Sequence, residues 1–497
     1  MFETAELGRK IGKKEYEAEL PALRTDLLRL QFELRDRDFP VIVLLAGNDR
    51  KSCNEVLNVL HEWLDPRFLQ ANAWGRPTDE VRERPIFWRY WRALPPRGRI
   101  GIFVRAWTMQ AMVLRLLDEI DEAALADLVG HVRRFEGELV EDGALVLKFW
   151  FHMTEKKLRK RLESAKKDRE AVLMIKKQDR RIYGDYERAM QTMEHVLRRT
   201  STGEAPWQII ESGDDRYRNL TVGRALRDAL AGRINGASEA DVKAPAPPTP
   251  PLTGDPLTVL DRVDLTRSLE KDDYQKALKR GQARLNRAAR DARELGVPSV
   301  LVFEGWDAAG KGGIVRRLTA AMDAAQYRVI PIAAPTDEER AYHYLWRFWR
   351  HLPRAGQMTV YDRSWYGRVL VERVEGFATE DEWRRAYAEI NDFEEQLVDH
   401  GTVLLKFWLH IDKDEQLRRF QAREQTPFKK YKITADDYRN RERWDEYELA
   451  VNEMVQRTST DVARWHLVPA NSKRWARVEV LRTVCRALED ACRRAED

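Results

Sequence analysis

The chain has 497 residues, too many for one ordinary hydrophobic core, so two or more domains are expected. A hydrophobic content of 43% excludes a disordered chain, and 87 basic against 82 acidic residues leave a net charge of only +5, so any polyanion site must be local. Three cysteines, Cys53, Cys485 and Cys492, show no metal-ligand spacing and fit a reducing compartment. The N-terminus has no signal-peptide core, and apolar runs such as Val41 to Ala46 are strand-sized. These features predict a cytoplasmic protein with no membrane partner.

In chain order, a charged amphipathic segment (Tyr16 to Arg35) leads into a short apolar strand (Val41 to Leu45). Helices follow, and then another strand (Ala144 to Phe149). Near the middle, Lys243 to Pro256 holds six prolines and reads as an extended linker. The pattern then starts again, with a charged segment (Asp272 to Leu295), a strand (Ser299 to Phe303), a loop and a helix (Ile314 to Met322). A second strand region ends near Tyr361, and a third runs from Thr402 to Phe407. A long charged segment, Asp412 to Val455, reads as helical and is interrupted near Pro427.

The two halves are copies of each other. Gly47 and Asp49 match Gly305 and Asp307, Trp88-Arg89-Tyr90-Trp91 matches Trp346-Arg347-Phe348-Trp349, Arg105 and Trp107 match Arg363 and Trp365, Lys148-Phe149-Trp150 matches Lys406-Phe407-Trp408, and every pair differs by 258. One constant offset over rare, Trp-rich matches marks tandem domains. Strands alternating with helices make each an α/β layer structure with a parallel sheet covered on both faces.

Strand Val300 to Phe303 runs into Glu304-Gly305-Trp306-Asp307-Ala308-Ala309-Gly310-Lys311-Gly312-Gly313, followed by a helix. This is strand, G-x-x-x-x-G-K loop, helix: backbone N–H groups turn toward phosphate oxygens, and Lys311 adds a full positive charge. The Ser or Thr that usually follows the lysine and ligates Mg²⁺ is Gly312 here, so another ligand is needed. Asp307 in the loop and Asp362 at a strand end are the candidates.

Three motifs then give a resemblance. Gly305-x-Asp307-Ala-Ala-Gly310-Lys311-Gly312-Gly313, Tyr361-Asp362-Arg363-Ser364-Trp365-Tyr366-Gly367-Arg368 and the segment from Arg419 through Pro427, Lys429 and Lys432 to Tyr447 resemble the second family of polyphosphate kinases. That family's own loop has Gly after the lysine. The resemblance implies tandem P-loop domains similar to thymidylate kinase, three-layer α/β/α with parallel sheets and a helical lid at about 412–455. It also implies Mg²⁺-dependent, in-line phosphoryl transfer between inorganic polyphosphate and nucleotides. The fused, two-domain class implies AMP as acceptor and ADP as product.

Asp307, Lys311, Asp362, Arg363 and Arg423 are the expected catalytic residues, with Asp307 and Asp362 on the metal. Expected phosphate or nucleotide contacts are the loop residues Gly305, Ala309, Gly310, Gly312 and Gly313, together with Thr336, Arg347, Arg368, Glu372, Arg419, Lys429 and Lys432. Subtracting 258 turns Lys311 into Cys53, Gly310 into Ser52, Gly313 into Glu55 and Asp362 into Val104. The expected domains are therefore a degenerate, non-catalytic copy (1–242), a linker (243–256) and a catalytic copy (257–497). Three other readings stay open: phosphorylation of nucleoside diphosphates from polyphosphate, an ATP-dependent nucleoside monophosphate kinase, and a non-enzymatic polyphosphate binder. Nucleic acid is not an expected partner, and oligomeric state is left open, a homo-oligomer included.

Overall fold

The computed structural model describes residues 1–75, 77–167, 184–236 and 258–496. The expected linker 243–256 lies outside the described residues, as does much of the stretch where the copies change length. The chain forms two compact units, one of Met1–Pro77, Arg89–Ala244 and Arg340–His343, the other of Thr78–Trp88, Pro245–Glu339 and Tyr344–Asp497. Thr78–Trp88, expected in the N-terminal domain, thus packs within the second unit. There the Arg354 guanidinium donates to Glu83 at 2.6 and 3.1 Å, and Arg84 Nε donates to the Leu352 carbonyl at 3.2 Å.

Each unit holds a five-stranded parallel sheet. In the first, β1 (Val41–Gly47), β2 (Leu69–Ala73), β3 (Ile100–Val104), β4 (Leu145–His152) and β5 (Trp207–Glu211) lie in the order β2-β3-β1-β4-β5. In the second, β6 (Ser299–Gly305), β7 (Tyr327–Pro331), β8 (Met358–Asp362), β9 (Val403–His410) and β10 (Trp465–Pro469) lie in the order β10-β9-β6-β8-β7, the same topology. Sequence and physics agree on the centre. β1 is apolar without alternation because helices cover both faces, and every one of its residues is buried. The chain goes one way from β6 to place β7 and β8, then the other way to place β9 and β10. A crevice therefore opens at the carboxyl end of β6, where an open α/β sheet binds its ligand.

Helices Lys13–Leu34 and Asp215–Gly236 pair in the first unit, and helices Lys271–Glu294 and Lys473–Glu496 pair in the second. Both units also bury the same polar knot. Lys148 Nζ donates to Glu136 at 2.7 Å and to the Thr200 carbonyl at 2.5 Å; Lys406 Nζ donates to Glu394 at 2.7 Å and to the Thr458 carbonyl at 2.6 Å. The indoles of Trp107 and Trp365 complete the two knots by donating to the same glutamates at 2.7 and 3.0 Å. Both charges are thereby paired and hydrogen-bonded, as full burial demands. The expected Asp412–Val455 lid resolves into helices Lys413–Glu424, Ala435–Glu442 and Trp444–Thr458. Among the described residues no helix is long and apolar enough to cross a membrane.

Candidate active site

The phosphate loop leaves β6 at Gly305 and enters helix Lys311–Thr319. Three residues hold positive φ: Gly305 (+141°), Ala308 (+63°) and Gly310 (+116°). Gly310 is the helix N-cap, and only glycine takes that conformation at no steric cost. Gly305 is needed for a second reason. A Cβ there would stand 2.6 Å from the Leu409 carbonyl on β9. Gly47 makes the same crossing in the first unit, where a Cβ would run into the Phe151 carbonyl. The glycine that both copies share is thus required by the sheet, whatever it does for phosphate.

Lys311 Nζ folds back under its own loop, donating to the Gly305 carbonyl at 2.5 Å and reaching the Trp306 carbonyl at 3.5 Å. Burial, then the neighbouring Arg363, push its ammonium below the usual lysine range, and Asp307, Asp362 and Glu304 oppose that shift. Asp307 accepts from Arg363 Nη2 on Oδ1 and from Asn440 Nδ2 on Oδ2, both at 3.1 Å. Asp362 ends β8, and its Oδ2 is 4.0 Å from where a Gly312 Cβ would stand. The loop and the strand end therefore bring together Asp307, Lys311, Asp362 and Arg363, and hard carboxylate oxygens of this kind suit a divalent cation such as Mg²⁺.

Other expected residues fall into two groups. Arg419 is buried, and its guanidinium donates to the carbonyls of Ala308 (3.0 Å), Ala309 (2.8 Å), Ala470 (2.6 Å) and Asn471 (3.0 Å) and pairs with Glu415. With its donors turned to carbonyls, Arg419 braces the loop from behind. Arg423 lies one turn further along the same helix. Thr336 and Arg347 converge on Glu339: the Thr336 amide donates to it at 2.9 Å, and Arg347 pairs with it at 3.2 Å. Arg368 pairs with Glu372 at 3.2 Å and lies over the Tyr344 ring. Lys429 is exposed beside Phe428; Lys432 sits in the turn Lys430–Lys432, and its side chain lies outside the described residues.

One carboxylate that sequence reading missed is Glu304. It is buried at the end of β6 and accepts from the Ser364 hydroxyl at 2.8 Å, and burial raises its carboxyl above the ordinary range. The signal was available, because subtracting 258 turns Glu304 and Ser364 into Ala46 and Ala106. Both were lost together with the lysine.

The first unit's loop has a different shape. Helix Arg50–Trp63 begins three residues earlier than its counterpart, so residues 50–52 are helical where the active loop arches. No residue from Gly47 to Cys53 has positive φ. Asp49 pairs with Arg161 and accepts from Ser52, while the buried Arg218 donates to Ser52 at 2.8 Å and pairs with Glu55 at 3.0 Å. Protein groups satisfy this loop from within.

Comparison with known proteins agrees with this geometry. The profile of the polyphosphate kinase 2 family matches residues 10–236 and 268–496. A polyphosphate:AMP phosphotransferase of Pseudomonas aeruginosa is 49% identical over 494 residues, covering 99% of both chains. One from Acinetobacter johnsonii is 37% identical over 94% of this chain and 96% of its own. A crystal structure from P. aeruginosa assigned to polyphosphate kinase 2 superposes with a TM-score of 0.87 at 47% identity, covering 99% of each chain. With both copies matched and the P-loop architecture in place, the chain belongs to the polyphosphate kinase 2 family.

Proposed function

We propose that this chain transfers the terminal phosphoryl group of inorganic polyphosphate to AMP, giving ADP and a polyphosphate one unit shorter. The observation that carries this reading is the intact constellation of Asp307, Lys311, Asp362 and Arg363 in one copy of a two-copy chain. The full-length relatives with that architecture are named polyphosphate:AMP phosphotransferases.

In the reaction, an oxygen of the AMP phosphate attacks the terminal phosphorus of the donor. The bond from that phosphorus to the bridging oxygen breaks, and the electron pair leaves with the shortened chain. The nucleophile is already anionic near pH 7, so no general base is required; catalysis is positioning and charge neutralisation. Lys311 and the loop amides hold the donor end. Arg363, fixed at φ +67° just after Asp362, carries a guanidinium between Asp307 and the incoming phosphates. Asp307 and Asp362 would hold Mg²⁺, which when bound neutralises charge on the transferring group. Asn440, on the lid helix Ala435–Glu442, reaches Asp307 and so ties lid position to the metal carboxylate. Arg423 comes from the same lid and meets its partner charge best when the lid is closed. Thr336 and Arg347, joined through Glu339, and the Arg368–Glu372 pair serve the acceptor side.

The test is a matrix of donors (polyphosphate, ATP) against acceptors (AMP, GMP, ADP, GDP). ADP formation from polyphosphate and AMP is expected to dominate. Transfer from ATP alone, or a preference for diphosphate acceptors, would overturn the reading. We place the protein in the cytoplasm, a reading supported by three buried, unpaired cysteines.

A further inference from the structure

The root of the lid rests on the phosphate loop through two indoles. Trp306, between Gly305 and Asp307, stacks on Trp444, the first residue of helix Trp444–Thr458; the ring centroids stand 3.7 Å apart at an interplanar angle of 10°. Both rings are buried. Trp306 is also fixed from its own side. Its Nε1 donates to His410 Nδ1 at 3.1 Å, Trp408 meets it edge-on, and its carbonyl accepts from the Ala309 amide at 3.0 Å. Trp444 stands at a break in the lid: Arg443, just before it, ends helix Ala435–Glu442 and begins helix Trp444–Thr458. Glu375 braces the same break, pairing with Arg439 at 3.3 Å and Arg443 at 3.4 Å and accepting from the Tyr447 hydroxyl at 3.3 Å. Four residues before Trp444, Asn440 donates to Asp307 at 3.1 Å. Two neighbouring loop residues, Trp306 and Asp307, are thus each held by a residue of the lid.

The first copy provides an internal control. Helix Tyr186–Thr200 begins and ends at the same offset from helix Trp444–Thr458 as the rest of the copy. Yet Trp306 corresponds to Asn48 and Trp444 to Tyr186. Asn48 exchanges hydrogen bonds with the Met153 backbone at 2.8 Å, and the Tyr186 hydroxyl donates to the same Met153 carbonyl at 3.1 Å. Glu375, Arg443 and Tyr447 correspond to Leu117, Asp185 and Ala189. Trp365, Trp408 and Trp465 keep counterparts in Trp107, Trp150 and Trp207, so the scaffold tryptophans stay while the stacked pair is lost. The helix forms without that pair, so the pair is not what builds it.

We infer that Trp306 and Trp444 are positioning residues for phosphoryl transfer: their stacked indoles hold the lid hinge against the phosphate loop and so set Asn440 against Asp307. This rests on the proposed function and deepens it, by naming what couples the lid to the loop. Both indoles are buried, so they act through Asp307 and Asn440. An aromatic stack is worth up to about tenfold in an equilibrium constant beyond the area it buries. Without it the hinge takes other positions, and the assembled arrangement of lid and loop is populated less often. Substrates still bind, so the loss falls on the rate of the bound complex.

The experiment assays the full-length chain with polyphosphate and AMP, as parent, Trp444→Phe, Trp444→Leu and Asn440→Ala. Leucine keeps the position apolar and removes the stack; phenylalanine keeps a ring. Trp444→Leu should lower kcat by about tenfold and leave KM for AMP within about twofold. Trp444→Phe should recover most of that rate. Asn440→Ala should act in the same direction without disturbing the buried hinge, so it decides the matter if thermal melts show that Trp444→Leu does not fold. Combining Trp444→Leu with Asn440→Ala should cost no more than the worse single change, because the two act in series. Near-UV circular dichroism, read without substrate, should lose the same indole–indole band in Trp444→Phe and in Trp306→Phe. An unchanged kcat in Trp444→Leu and Asn440→Ala, a loss carried by KM alone, or full additivity of the two changes would overturn the positioning role. A parent that uses no polyphosphate would instead overturn the proposed function, and the dichroism would still report the stack.

Discussion

The two copies share one frame and differ in what fills it. Both keep the strand order, the glycine crossing under the central strand and the buried lysine–glutamate knot. Only the second keeps the αL cap, the loop lysine, the paired Asp307 and Asp362 carboxylates and the Glu304–Ser364 pair. Gly47 with Gly305 and Lys148 with Lys406 are retained for the fold, and residues found only in the second copy, such as Lys311 and Asp362, are candidates for chemistry; Asp307 and Arg363 keep counterparts in Asp49 and Arg105, so retention alone does not take a residue out of the site. That division separates Gly305 from Gly310, two glycines the loop motif treats alike. It also separates Lys406, buried and paired in the core, from Lys311, which sits under the phosphate loop.

The strongest challenge to the comparison is Lys311→Ala. ADP formation should fall by on the order of 10²-fold or more, the scale of one lost charged contact at a transferring group, while the melting temperature registers only the loss of the Nζ hydrogen bonds to the Gly305 and Trp306 carbonyls. Rescue of turnover by the first copy would refute its non-catalytic reading. Gly310→Ala comes next. A Cβ there meets nothing within 4 Å, so the cost is conformational alone, about 1–2 kcal/mol for forcing an L-residue into the left-handed region. Activity should drop about tenfold if that strain shifts the loop. A variant with normal turnover would show that the loop does not depend on that conformation.

Acid should be felt next. Burial holds His410 down at about 4, and the indole of Trp306 donates to its Nδ1 at 3.1 Å. Its folded value lies below the unfolded one, so the stabilisation is full above about 6.5 and is lost as pH falls toward 4. Melts from pH 7.5 to 4.5 should therefore show the second unit weakening through that window. His410→Gln should flatten the dependence; an unchanged slope would remove His410 as the cause. The smallest effect expected is from Cys53→Lys in the first copy, which should give no activity in a Lys311→Ala background. Residue 53 lies inside a helix that has already absorbed the loop, and Arg218 holds Ser52 and Glu55. ADP formation by that double variant would break the comparison.

Much of this was legible in the sequence, for reasons of local pattern. β1, β6, β4 and β9 announce themselves as apolar runs between charged segments, and the phosphate loop is contiguous. The edge strands were harder. β2 and β7 are mostly exposed, with two solvent-facing residues at their centres, and such short half-polar stretches look like loop. The bracing role of Arg419 was not legible, because only the fold reveals the carbonyls it faces. The convergence of Arg317 and Arg477 on Tyr274 was invisible for another reason. Arg317 and Arg477 lie 160 residues apart on helices whose packing alone brings them to one tyrosine.

Arg218 makes the loss in the first copy hard to reverse. It is almost fully buried, with its charge answered by Glu55 and its hydrogen bond by Ser52. Restoring glycine at position 55 first would strand a buried guanidinium without its carboxylate, and breaking a buried pair from one side costs about 3–5 kcal/mol. Removing Arg218 first would leave Ser52 without that donor and Glu55 with only the exposed Lys51 as its partner. The step through glycine at position 55 thus passes through a less stable protein, and the Arg218–Glu55 pair holds the first copy's loop in its present form.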